Sequence, residues 1–352
     1  MTLLDDMGTI EGSERSELDE EALRARLRPV FARRHREHVA PAALAPLADT
    51  HTHLLGVAGG DAAAALTRAA LAGVRLLVTL LDPVCDKVDP GEFRTRLDEW
   101  IAVSAALLRG PGSPRDASAD PSGIVAASTL GEPAQLFDRV GYLIGVHPYG
   151  AAGVSDAVMR EMRAELADPR CLGVGEIGLD YHLDDASSAP RSVQLAAFAG
   201  QLELARNERV PVELHLRHEA GDERRRSHED ALRVLFEVGV PEPGCVVHCF
   251  TEDRTTMERF LEAGCLIAFG GAATFKRNGE IRDAFAACPL SRILFETDAP
   301  YLAPEPVRGI PCEPAMIAFT ADALARDRAE RTGEDPHAIA RAAWSNAVRL
   351  FG

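Results

Sequence analysis

From Leu47 onward, short apolar or β-branched runs alternate with longer stretches whose apolar residues recur every three or four positions. The strand-like runs are LADTHTHL (47–54), VRLLVTLL (74–81), YLIGVHP (142–148), CLGVGEIGL (171–179), VPVELHL (210–216), GCVVHCF (244–250), CLIAFGG (265–271) and RILFETD (292–298). Helical patterns such as PRSVQLAAFAGQLELARNER and RRSHEDALRVLFEVG separate them. Such units, with near-continuous apolar strands, predict an α/β fold: a TIM-type (β/α)8 barrel whose parallel sheet is buried on both faces. A doubly wound open sheet is the competing arrangement. The lack of a glycine-rich phosphate loop after the first strand counts against it.

The flanks read differently. Residues 1–45 predict an N-terminal extension, an acidic tail followed by an amphipathic helix from Glu17 to His38. Its stripe would be Leu18, Leu23, Leu27, Val30 and Phe31, laid on the outer surface of the barrel away from any site. Pro41 and Pro46 close this extension, and 46–352 is expected as the barrel domain. Within it, GPGSPRDASADPSG (110–123) has no periodicity and is expected as a mobile surface loop. The last stretch predicts two C-terminal helices, one ending near Arg331 and one running from His337 to Leu350.

Composition narrows the function classes. With 46% hydrophobic residues over 352 positions, a sizeable core is available and wholesale disorder is excluded. No apolar run approaches the roughly 20 residues of a membrane helix. The start of the chain has neither a basic nor an apolar segment of the kind a secretory signal carries. Seven cysteines without a CxxC pair suit reduced thiols, and with them a cytoplasmic location. A net charge of −16 excludes coating of nucleic acid by bulk attraction. Any polyanion would have to be held by bound cations and a few local basic groups. Arginine dominates those groups, since only Lys87 and Lys276 are lysines.

In a barrel of this kind chemistry sits at the C-terminal ends of the strands. His51 and His53 end the first strand, two apart and so on one face. Glu176 ends the fourth, His215 the fifth, His248 the sixth and Asp298 the eighth. A single histidine there is ordinarily a hydrogen-bonded structural residue, and Asp298 alone could cap a turn. Together the six have no structural explanation. Imidazole plus carboxylate suits divalent ions of the Zn, Mn, Fe or Mg type, and a carboxylate can bridge two of them.

The stretches DTHTHL (49–54), GVHP (145–148), GEIGLDY (175–181), PVELHLR (211–217), VVHCFTEDR (246–254), ETDAPYLAP (296–304) and NAVRLFG (346–352) resemble, in order, those of the TatD-like deoxyribonucleases. These belong to the metal-dependent amidohydrolase-type barrel enzymes. The resemblance covers about residues 47–352. It implies two divalent ions (Mg, Mn or Zn), about 3.5–4 Å apart as two-metal hydrolases require. His51, His53, Glu176 and Asp298 would hold one, and Glu176, His215 and His248 the other, with Glu176 bridging. Asp298 would also act as general base. The implied activity is hydrolysis of DNA phosphodiester bonds, from single-stranded or frayed 3′ ends. An ester or amide hydrolase, such as a deacylase of misacylated tRNA, keeps the same site and changes the bond. A non-catalytic binding barrel is disfavoured by the complete ligand set. No membrane and no obligate protein partner are expected.

Further residues carry two readings each. His147 could touch a phosphate or be a hydrogen-bonded turn histidine. Arg217 could pair with phosphate or with Glu176. Lys276 could reach phosphate or be a solvated loop charge. Asp180 is placed to orient a ligand histidine. Cys249 reads as a small core residue, and His182, His218 and His228 as solvated. The chain also departs from the family pattern. His218-Glu219-Ala220 replaces the usual Asp-Ala after HLR, Gly270 replaces a serine, and Ile310 and Cys312 replace a lysine and an asparagine.

Overall fold

The computed structural model of the chain describes residues 27–109, 130–182 and 189–352. The expected loop at 110–123 and the start of the expected N-terminal helix lie outside the described residues. Strands β1 (Val30–Arg33) and β2 (Arg36–Val39) pair as an antiparallel hairpin. Eight more strands form one parallel sheet in chain order: β3 (Leu47–Thr52), β4 (Val74–Leu81), β5 (Val140–Ile144), β6 (Cys171–Asp180), β7 (Val212–Arg217), β8 (Cys245–Val247), β9 (Leu266–Phe269) and β10 (Ile293–Phe295). Each coincides with one of the eight runs that the sequence singles out.

The barrel closes just beyond β10. Asp298 N–H donates to His51 O at 2.9 Å and His53 N–H to Ala299 O at 2.8 Å. Thr50 Oγ1 donates to Phe295 O at 3.1 Å. Buried Asp49 accepts the Thr297 amide at 2.8 Å and its hydroxyl at 2.6 Å, locking the seam.

Alternation along the strands sorts the core into two layers. Leu76, Val78 and Leu80 of β4 cluster inside with Leu143, Val246, Leu266, Ala268 and Leu294. Leu77 and Leu81 face outward and pack with the surrounding helices. The C-terminal helix Pro336–Phe351 contributes Ala347 and Phe351 to the inner cluster, plugging the barrel at the strands' N-terminal ends. Asn346 Nδ2 donates to the carbonyls of Leu290 and Ile293, at 2.8 and 2.9 Å, and fixes that helix to the start of β10. The two C-terminal helices are observed, at Ile317–Thr332 and Pro336–Phe351.

The N-terminal extension corrects the sequence reading. Over its described part the chain is not an amphipathic helix up to His38 but the β1–β2 hairpin, turned by Arg34 and His35 in the left-handed region (φ 48° and 63°). Tertiary contacts override the helical spacing. Phe31 is buried against Ala299, Ala303, Val307, Met316 and Phe319, and Arg33 Nη1 reaches Glu305 at 3.1 Å. The hairpin therefore braces the segment that follows Asp298, rather than lying remote from the site. Deletion through Ala40 should lower the melting temperature by several degrees. Leu27 and Phe31 would lose burial worth roughly 1.5–3 kcal/mol each. Unchanged thermal melting would show that the hairpin contributes nothing.

Candidate metal centre at the barrel mouth

Strand geometry brings all six residues to one place, although Glu176 lies inside β6, which runs on to Asp180, instead of ending it. β3 and β6 each break register, between Asp49 and Thr52 and between Val174 and Ile177. His51 and Glu176 lie within those breaks, where a local irregularity re-aims a side chain. One glycine permits the close approach beside them. Gly178 has φ +142°, and a Cβ there would stand 2.1 Å from His215 O, so only glycine lets β6 run this close to β7.

Glu176 stands in the middle and divides its oxygens. Oε1 faces His53 Nε2 at 3.6 Å and His51 Nε2 at 3.9 Å. Asp298 Oδ1 completes that side, 3.6 Å from His53 Nε2 and 3.8 Å from His51 Nε2. Oε2 faces His215 Nδ1 and His248 Nε2, each at 3.1 Å. The imidazole nitrogens crowd each other, His51 against His53 at 3.2 Å and His215 against His248 at 3.3 Å. Nitrogen lone pairs converging this tightly beside carboxylates fit cations between them.

Two of the outer nitrogens are hydrogen-bonded, while His248 Nδ1 is buried with no hydrogen-bond partner among the described residues. His215 Nε2 pairs with Asp180 Oδ2 at 3.0 Å, as the sequence suggests. His51 Nδ1 pairs with Glu213 Oε1, and His248 Nδ1 faces Glu296 Oε2 at 4.0 Å. Glu213 and Glu296 were not legible as site residues from strand ends alone. The available signal was spacing: each lies two positions before a site residue, His215 and Asp298.

Burial and mutual charge set the protonation states. Burial pushes Glu213 up to about 8 and Glu296 well above the usual carboxylate range. For Glu176, burial acts upward, but the charge of His147 and the hydrogen bonds of His215 and His248 prevail and hold it well below that range. Asp298 is likewise lowered: burial acts upward, but its bond to His53 and the charges of His51, His248 and His53 together prevail. Burial drives His51 down to about 4. His53 and His215 go the other way, to about 9. Burial opposes this, but Asp298 and Glu176 prevail at His53, and Asp180 and Glu176 at His215.

A mouth cavity of about 700 Å³ opens over these groups. His147 and Arg217 line it, and Lys276, exposed on the loop after β9, is not among its lining residues. His147 is also the turn histidine of the other reading, since its Nδ1 accepts the Tyr149 amide at 3.1 Å. Arg217 helps His215 hold Asp180 ionised against the effect of burial. Cys249 lines the cavity instead of the core. Burial raises its thiol well above the ordinary range, so it stays protonated and is not a nucleophile. Tyr149 and Tyr301, 44% and 59% exposed, rim the cavity beside His147 and His53. His228, expected to be solvated, is buried at 2% exposure.

A (β/α)8 barrel with four histidines and two carboxylates gathered at its mouth has the architecture of a metal-dependent hydrolase. The chain belongs to the TatD related DNase family, which it matches over residues 48–352. It is 30% identical over 312 residues to an uncharacterized metal-dependent hydrolase, TatD, of Mycobacterium tuberculosis, covering 87% of this chain and 98% of that one. It is 36% identical over 212 residues to a 3'-5' ssDNA/RNA exonuclease TatD of Erwinia billingiae, covering 59% and 76%. The crystal structure of YJJV, a TatD homologue from Escherichia coli, superposes with a TM-score of 0.64 at 26% identity, covering 88% of this chain and 98% of that one. Among the described residues no helix is long and apolar enough to cross a membrane.

Proposed function

We propose that this hydrolase uses two divalent ions to cleave DNA phosphodiester bonds, removing nucleotides from single-stranded or frayed 3′ ends. The observation that carries the reading is the division of Glu176, with one oxygen toward His51, His53 and Asp298 and the other toward His215 and His248. His51, His53 and Asp298 would hold one ion and His215 and His248 the other, with Glu176 serving both. Such ions lower the pKa of water and draw charge from the oxygens of a scissile phosphate.

The remaining work falls to the chain itself. Asp298 is held ionised and accepts the proton of the attacking water on its carboxylate. His147 and Arg217 meet phosphate oxygens at the mouth. Tyr149 and Tyr301 offer exposed ring faces on which unstacked terminal bases rest. An acidic protein thereby holds a polyanion locally.

Two expectations follow from the groups around the centre. His53 and His215 titrate at about 9, so at pH 7 the metal-free protein carries protons that cation binding must expel. Manganese titration in a pH-stat should release protons. Affinity should weaken as pH falls from 9 to 6, and a pH-independent affinity would contradict the assignment. Glu213→Gln, which loosens His51, should cost about 10–100-fold in metal affinity or activity.

The reading is tested with chelated protein and a 5′-labelled single-stranded oligonucleotide. Restored manganese or magnesium should give a ladder of progressively shortened labelled products. Intact DNA, with turnover of acyl or aminoacyl esters under the same conditions, would establish the ester or amide hydrolase instead.

A further inference from the structure

Beside the mouth, three side chains outside the six-residue centre converge from three separate segments. His218 follows β7, where the family pattern carries aspartate. His228 lies in the first turn of the helix Arg226–Val238, and Glu252 follows β8. Glu252 Oε1 is 3.2 Å from His218 Nδ1 and 3.7 Å from His228 Nε2. The three ligand atoms lie within 4.8 Å of one another.

The carboxylate is oriented for this role. Its other oxygen, Oε2, is held by Arg225 Nε at 2.5 Å, while Arg225 Nη2 reaches Asp253 at 3.0 Å. Oε1 is thereby left to the two imidazoles. His228 Nδ1 meets Ser227 Oγ at 3.1 Å, which turns its Nε2 toward the cluster.

A simple ion pair does not account for the group. Glu252 already has Arg225 as its counter-charge. The approach of His218 lacks hydrogen-bond geometry, and its Nδ1 is buried with no hydrogen-bond partner. Two imidazoles and one carboxylate form a zinc-type donor set rather than a magnesium one. Ligand atoms around a tetrahedral zinc stand about 3.3–3.5 Å apart, given bond lengths near 2.0–2.2 Å. The observed 3.2 and 3.7 Å bracket that spacing.

We propose that His218, His228 and Glu252 form a separate site for one zinc-type ion, with a fourth position open to water. The ion ties the loop after β7 to the loop after β8. None of its ligands belongs to the six-residue centre, so the site stands or falls independently of it.

The test is the zinc content of the full chain, measured by mass spectrometry after dialysis against zinc and then against buffer. His218→Gln and Glu252→Gln should each hold one equivalent fewer than the unsubstituted protein. A zinc-edge anomalous map of the unsubstituted protein should show a peak among the three side chains. Equal counts in all three proteins, or a map without that peak, overturns the site. The map needs no substitution and decides the matter even if a variant fails to fold. A peak here with none beside Glu176 would contradict the proposed two-ion centre and leave this site standing.

Discussion

Asp298→Asn should lower turnover by about 10²–10⁴-fold while leaving single-strand affinity nearly unchanged. Asparagine keeps the shape of the side chain, and the backbone at this position, in the left-handed region at φ 54°, tolerates it. The hydrogen bond that the backbone N–H here donates to His51 O at 2.9 Å, which closes the barrel, is also retained. What would be lost, on the proposed mechanism, is the proton acceptor, a carboxylate held ionised 3.6 Å from His53. Single-turnover kinetics with saturating oligonucleotide read the effect directly. Restoration of the Asp298→Asn protein by excess metal alone would contradict the general-base role, because metal cannot return the missing base.

The second large effect is expected at Glu176. Its two oxygens face two separate sets of candidate ligands, so on the proposed two-ion centre Glu176→Ala should empty both sides together. Losing the ions removes several kcal/mol of charge stabilisation, about 10³-fold or more in rate at roughly 1.4 kcal/mol per tenfold. Excess metal should not rescue it. His215→Ala provides the contrast: it touches one side only, so metal content should fall by about one ion and millimolar metal should restore part of the activity. Equal rescue of the two variants would show that Glu176 does not bridge.

The barrel and the six residues at its mouth were legible because both leave local marks. Strands buried on both faces read as unbroken apolar runs, and polar residues that end such runs stand out. Glu213 and Glu296 escaped because they lie inside the runs, masked by their apolar neighbours. Their spacing of two before His215 and Asp298 marks them only once the strand ends are known to converge. The hairpin at Val30–Val39 escaped for another reason. Leu27, Val30 and Phe31 fit a helical stripe locally, and only packing of Phe31 against Met316 and Phe319 decides for strands. His228 looked solvated because SHED opens a helix in a charged stretch. Its burial depends on Glu252 and Phe260, which the sequence places far away. Lys276 was singled out by its rarity and its place just beyond the seventh strand, and it is exposed on that loop without lining the mouth cavity.

In the proposed centre Glu176 shares its two oxygens between two ions, and anomalous diffraction from manganese-loaded crystals of the unsubstituted protein locates them. Two peaks should flank Glu176, one against His51, His53 and Asp298 and the other against His215 and His248. A single peak on one side of Glu176, or manganese bound with neither of its oxygens in contact, would rule out a shared Glu176.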